Sequence, residues 1–158
     1  MKALIAYYSM TGTTEKVAKE LGAFLESEGH EATLEAIVPK KGYSRLSAYT
    51  IGCMQARRRH LVELNPAKNN PSEFDIIAVL SPTWAFTFTP PAYSFISNLP
   101  KAKEGQKAIV ITTNQGTPGD GPRALAETFM KKGYCIIGEL TVTKNTGLTE
   151  IFAKEIKM

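Results

Sequence analysis

Residues 2–14, KALIAYYSMTGTT, constrain the fold more than any other stretch: a short apolar run breaks into a hydroxyl-rich bend around Gly12 and leads into a helical pattern. The near-continuous apolar character of Lys2 to Tyr8 suits a strand buried on both faces, as in a parallel sheet covered by helices. Ser9, Thr11, Thr13 and Thr14 place four hydroxyls within six residues. Gly12 lets the backbone turn with no side chain in the way. Strand, bend and helix start together aim several N–H groups and the positive end of the helix dipole at one point, where an anion such as a phosphate is stabilised without a lysine. The plain alternative is an ordinary strand-to-helix connection with Ser/Thr caps.

The same alternation continues along the chain. Thr13 to Glu28 carries Val17, Leu21, Phe24 and Leu25 at helical spacing, with Gly29 as a stop. Glu31 to Val38 alternates Ala32, Leu34, Ala36 and Val38 with polar neighbours, which reads as a strand near a sheet edge. A helix is expected over about Ser44 to Arg58, with Tyr43, Leu46, Thr50 and Cys53 on one face. Asp75 to Leu80 is a buried strand; Pro90 and Pro91 open a helix with Ala92, Phe95, Ile96 and Leu99 inward. Lys107 to Thr113 is a fourth strand, Pro122 to Gly133 a helix, Tyr134 to Val142 a fifth strand, and Leu148 to Ile156 a last short helix. Five strands alternating with helices imply a parallel α/β sheet with helices on both faces, because parallel strands need crossovers and crossovers are right-handed.

Size and composition narrow the function classes. With 158 residues the chain reads as one domain, 1–158, able to bury a sizeable core. No apolar run approaches the roughly 20 residues needed to cross a bilayer. The apolar start is too short for a signal peptide, so a cytoplasmic location is expected, with no membrane and no nucleic-acid partner. Cys53 and Cys135 lie far apart and lack CxxC spacing, which leaves disulfide, zinc and thioredoxin-type chemistry without support; Cys135 reads as a small core residue. The net charge of +4 is uneven. Between Pro39 and Ser72, Lys40, Lys41, Arg45, Arg57, Arg58, Arg59 and Lys68 face Glu63 alone, so this segment carries +6 and the remainder −2. Such a face suits an acidic partner or a nucleotide phosphate, or is simply a solvated helix surface.

In a doubly wound sheet, ligands sit beyond the strand C-termini, at the switch point. The loops expected there are Ser9 to Thr14, Ser81 to Pro90 and Thr113 to Gly121. The second, SPTWAFTFTP, holds the only Trp and two Phe; the third, TNQGTPGDG, offers Asn114 and Gln115. Phe88 reads as core beneath its loop. An anion socket, an aromatic wall and an amide-rich loop match a ligand with a phosphate tail and a flat heteroaromatic head, the shape of flavin mononucleotide (FMN). Competing sites fail on residues: there is no GxGxxG, no Gly-Lys-Ser/Thr, and no carboxylate where Tyr8-Ser9 and Leu80-Ser81 end their strands. His30 and His60, the only histidines, lie away from the three loops, so no catalytic residue and no metal site is expected.

SMTGTT resembles the phosphate-loop signature of the flavodoxin family, Ser/Thr-x-Thr-Gly-x-Thr, and SPTW resembles that family's ring-binding loop, each in the matching place. The resemblance covers the whole chain and implies a flavodoxin-like three-layer sandwich with a five-stranded parallel sheet in the order 2-1-3-4-5. It also implies non-covalent FMN, its phosphate held by Ser9, Met10, Thr11, Gly12, Thr13 and Thr14. The ring would lie between Pro82, Thr83, Trp84, Ala85 and Phe86 on one side and Thr113, Asn114, Gln115 and Gly116 on the other.

Three departures from the family bear on function. Ala85 stands where many members have glycine, and a positive φ there costs about 1 kcal/mol or more. The third loop has no aromatic to cover the outer ring face. The chain is basic, whereas typical flavodoxins are strongly acidic. The resemblance implies an electron-transfer carrier that docks to a redox partner protein. The open ring face and basic surface favour the alternative, a small NAD(P)H-dependent FMN oxidoreductase of quinone-reductase type, with Arg57, Arg58 and Arg59 on the nucleotide phosphate. A third reading is a flavin-free binding module. Either a monomer or a homodimer is compatible with the sequence.

Overall fold

The computed structural model describes residues 1–143 and 146–158. Strand and helix alternate as β1 (Lys2–Tyr7), α1 (Thr13–Ser27), β2 (Glu31–Ala36), α2 (Arg45–Ser47), α3 (Cys53–Arg57), β3 (Ile76–Pro82), α4 (Pro90–Asn98), β4 (Lys107–Thr113), α5 (Gly121–Met130), β5 (Cys135–Val142) and α6 (Leu148–Glu155). The strands form one sheet in the order β2-β1-β3-β4-β5, and every neighbouring pair is parallel. This is the flavodoxin-like α/β topology, with its switch point between β1 and β3.

Because strand side chains alternate between faces, the central strands feed two cores. Ala3, Ile5, Ile76, Ala78, Leu80, Ile109 and Ile111 pack against α1 and α6. Leu4, Ala6, Ile77, Val79, Ala108 and Val110 pack against α4 and α5. Ile76 to Leu80 are wholly buried, which explains their unbroken apolar run. Among the described residues no helix is long and apolar enough to cross a membrane.

Three sequence expectations change. Cys135 is exposed rather than core. It opens an edge strand whose pairing with β4 shifts between Ala108 and Ile109, so the apolar run there does not mark continuous burial. In β2, Glu35 is buried while Leu34 is 38% exposed. The face read as polar is covered by the following loop: the Lys68 N–H at 2.8 Å, the Asn69 N–H at 3.1 Å and the Asn69 amide at 2.7 Å all donate to the Glu35 carboxylate.

The third change concerns the helical segment 45–57, where α2 passes through a π-helical turn, Ala48–Gly52, into α3. Its inward residues are Ala48, Gly52 and Ala56, whereas Leu46 and Thr50 face solvent. Gly52 lies against the Trp84 indole, and small size rather than apolar character marks the buried side.

Candidate functional site

A cavity of about 530 Å³ opens at the C-terminal ends of β1, β3 and β4, beside the switch point. The first loop contributes Met10, Thr11, Thr13 and Thr14; the second Pro82, Thr83, Trp84 and Ala85; the third Thr113, Asn114 and Gln115. Its volume is that of a pocket for an ordinary cofactor or metabolite.

The first loop is built to leave donors free. Gly12 takes φ 91°, a left-handed value that a side chain would strain, and open space surrounds the place where a Cβ would stand. Its N–H donates to Ser9 Oγ at 3.1 Å, closing the bend. No side chain caps α1, so the first-turn N–H groups remain available to an anion. Thr14 is buried, and its hydroxyl pairs with the Thr113 hydroxyl at 2.7 Å, fixing the helix start to the end of β4.

The second loop is pinned at base and tip. At its base the buried Ser81 Oγ accepts the Thr89 N–H at 2.9 Å and lies 2.9 Å from the Thr89 hydroxyl. At its tip Trp84 and Thr87 exchange backbone hydrogen bonds of 3.1 and 3.0 Å. The two residues between, Ala85 and Phe86, have φ of 50° and 65°. Such a pair of left-handed residues makes a two-residue turn that usually uses Asn-Gly, and each side chain costs about 1–2 kcal/mol there. The fourth-strand loop holds the strain in place: the Asp120 N–H donates to the Phe86 carbonyl at 2.9 Å. A Cβ on Gly119 would overlap that carbonyl, so the close approach requires glycine.

Trp84 forms the floor between this loop and segment 45–57. Tyr8 and Tyr43 meet its ring edge-on, with centroids 5.7 and 5.2 Å away. A Cβ on Gly52 would come within 2.7 Å of the indole. Burial, and secondarily the neighbouring Tyr43, pushes the Tyr8 phenol up to about 12, so it stays protonated and neutral. Burial raises Tyr43 as well.

The third loop presents an amide with one end committed. Asn114 Oδ1 accepts the Gly116 N–H at 2.8 Å, and Nδ2 meets no acceptor among the described residues. Thr83 Oγ1 is likewise buried and without a partner among the described residues. Buried polar groups are nearly always satisfied; two orphans in the lining of one cavity point to a polar ligand there.

Of the residues singled out by sequence, Ser9, Gly12, Phe86 and Gly116 do not line the cavity. Ser9 and Gly12 shape the bend behind it, and Phe86 turns outward, 64% exposed. Phe88 is fully buried and stacks on Tyr93 at 5.1 Å, the core role expected of it. Sequence reasoning missed Arg45, Ala48, Tyr49 and Cys53, which close the cavity from segment 45–57. Their only advance signal was the concentration of positive charge in that segment.

No protein-family model and no curated protein sequence matches the chain. Solved structures do. A protein of Bacteroides uniformis ATCC 8492, classed by inference as a flavoprotein, is 20% identical with TM-score 0.77, over 98% of each chain. A flavoprotein of Lactobacillus acidophilus NCFM in complex with FMN is 22% identical with TM-score 0.61, over 89% of this chain and 92% of that one. The flavodoxin of Streptococcus pneumonia TIGR4 is 17% identical with TM-score 0.62, over 98% and 97%. At this level of identity the likeness establishes the flavodoxin-like fold.

Proposed function

We propose that the chain is a single-domain FMN-binding redox protein that carries electrons between partner proteins. The observation that carries this reading is the meeting of an uncapped helix N-terminus with two unpartnered polar side chains across one cavity at the switch point. An anion at one end and a hydrogen-bonding planar group at the other satisfy both, and FMN has both. The Lactobacillus protein, of the same fold, is in complex with FMN. In this reading Met10, Thr11, Thr13 and Thr14 hold the phosphate through hydroxyls and backbone N–H groups, on the bend that Ser9 and Gly12 shape. Thr83 and Asn114 meet the polar edge of the ring, Gln115 flanks it, Gly116 orients the Asn114 amide, and Pro82, Trp84 and Ala85 line its inner side. Bound FMN supplies the redox chemistry, and the chain sets its surroundings and its access to partners.

One observation favours a second reading, an NAD(P)H-dependent FMN oxidoreductase passing electrons to a quinone. A shallow hollow lined by Arg57 and Arg58 meets the cofactor cavity at Cys53 and Ala85, so a nucleotide phosphate there would sit beside the ring. Anaerobic addition of NADPH to the holoprotein separates the two. The carrier keeps its flavin oxidised until a reductase protein is added; bleaching within seconds on NADPH alone makes it the oxidoreductase.

A further inference from the structure

The face beside the cofactor cavity carries apolar side chains that nothing among the described residues covers. Tyr49 is 82% exposed and Leu46 76%, on a helical segment whose small residues already pack inward. Met54 stands half open beyond them, and Phe86 projects from the tip of the neighbouring loop. The shared lining residues Cys53 and Ala85 make this surface continuous with the cavity mouth. Exposed apolar side chains gathered at one mouth mark an interaction site rather than ordinary surface.

The same face is cationic. Arg45 borders the cavity, Arg57 and Arg58 border the adjoining hollow, and Arg59 follows. Among the described residues the non-glycine residues with positive φ are Arg59, Ala85 and Phe86, and Ala85 lines both the cavity and the adjoining hollow. Arg59, at φ 50°, ends α3 where a glycine would be relaxed. Its N–H bonds the Ala56 carbonyl at 3.0 Å and the His60 N–H bonds the Gln55 carbonyl at 2.9 Å. An arginine and a phenylalanine thus hold backbone positions where glycine costs less, and both side chains face solvent.

We infer that this face, with Tyr49, Met54 and Phe86 at its centre and Arg45, Arg57 and Arg58 at its rim, docks a protein partner with an apolar centre and an acidic rim. Charge complementarity selects that occupant. A second copy of the chain in a two-fold contact would set the patch on itself and bring the arginines together, an arrangement that like charges oppose. What the partner exchanges rests on the carrier reading; the docking itself does not. The contact covers the cavity mouth, so the cofactor lies next to the partner's surface. Positive charge at that mouth steers an acidic protein to it and makes association weaken with salt.

The test is a titration of the isotope-labelled holoprotein with an acidic [2Fe–2S] ferredoxin, followed by amide shifts, with basic cytochrome c as the contrast. Amides of Tyr49, Met54, Arg57, Arg58 and Phe86 move with ferredoxin and not with cytochrome c. Affinity falls about tenfold or more between low and physiological salt. The triple variant Arg57→Glu/Arg58→Glu/Arg59→Glu loses ferredoxin affinity about tenfold or more while the bound-flavin spectrum stays unchanged. Shifts elsewhere, or affinity insensitive to both salt and the triple variant, overturn the inference. So does a dimer that Tyr49→Ser dissolves, binding to phosphatidylserine vesicles without ferredoxin binding, or the same amides moving with NADPH alone. A colourless protein whose patch still moves with ferredoxin defeats the carrier reading and leaves the docking face standing.

Discussion

Ala85 and Phe86 hold left-handed backbone for which neither side chain is suited, held by the Trp84–Thr87 hydrogen bonds around them and by the Asp120 N–H on the Phe86 carbonyl. Ala85→Gly removes a Cβ from that conformation and should stabilise the fold by about 0.5–1 kcal/mol in urea denaturation; a loss of stability contradicts the turn geometry. Gly12 works in the opposite sense. Gly12→Val forces a β-branched residue to φ 91° and distorts the bend, so FMN affinity should fall about tenfold or more while riboflavin, which lacks the phosphate, binds as before. Tyr8 gives a pH readout. Its folded pKa, about 12, lies above the unfolded value of 10, so its contribution to stability is full below pH 10 and is lost as pH rises towards 12. Ultraviolet titration should find one phenol that ionises only near pH 12 in the folded protein. Gly12 was legible in sequence because its neighbours in the chain are its partners in the bend. Gly52 and Gly119 were not, because the atoms that exclude a Cβ, the Trp84 indole and the Phe86 carbonyl, lie far along the chain.

At the scale of elements, the strands announced themselves and the segment between β2 and β3 did not. Strands buried on both faces leave an unbroken apolar run, and β1, β3 and β4 are such strands. Segment 45–57 turns Ala48, Gly52 and Ala56 inward, with Gly52 against a half-buried indole, so apolar periodicity points to Leu46 and Thr50, which face solvent. The π-helical turn adds to this, because it displaces the helical register in mid-segment. Gly52→Ala places a methyl against the indole and should cost about 1–3 kcal/mol by overpacking, with a change in tryptophan fluorescence as the local sign. Unchanged stability and fluorescence mean that the segment does not rest on Trp84. The loop after it is tied down by Glu35, whose burial no alternation pattern foretold, since the covering atoms are backbone N–H groups of Lys68 and Asn69. Glu35→Ala leaves those donors unmatched and should cost about 1–3 kcal/mol, with faster hydrogen exchange at the two amides.

Over the whole molecule the order of strands followed from chain logic, and the site followed from the order: the loops after β1 and β3 part to opposite faces because strand addition reverses direction between them, and the loop after β4 borders the same crevice. The lining from segment 45–57 was illegible because nothing local says which way a connection of that length will lie. The charge distribution was legible, and it bears on the energetics of the proposed FMN. A protein at +4, with its positive charge gathered beside the cavity, opposes an anionic reduced ring less than an acidic protein does. Potentiometric titration should therefore give a second one-electron potential less negative than that of a strongly acidic flavodoxin, and an equally low value contradicts the electrostatic account. The central claim is that a phosphate-gripping bend and a ring-binding loop share one cavity, and calorimetric titration of the flavin-free protein with FMN and with riboflavin tests it most directly. The account predicts one FMN per chain, bound about a hundredfold or more tighter than riboflavin, a difference of about 2.7 kcal/mol from the phosphate. Equal affinity for the two flavins, or no binding of FMN, contradicts it.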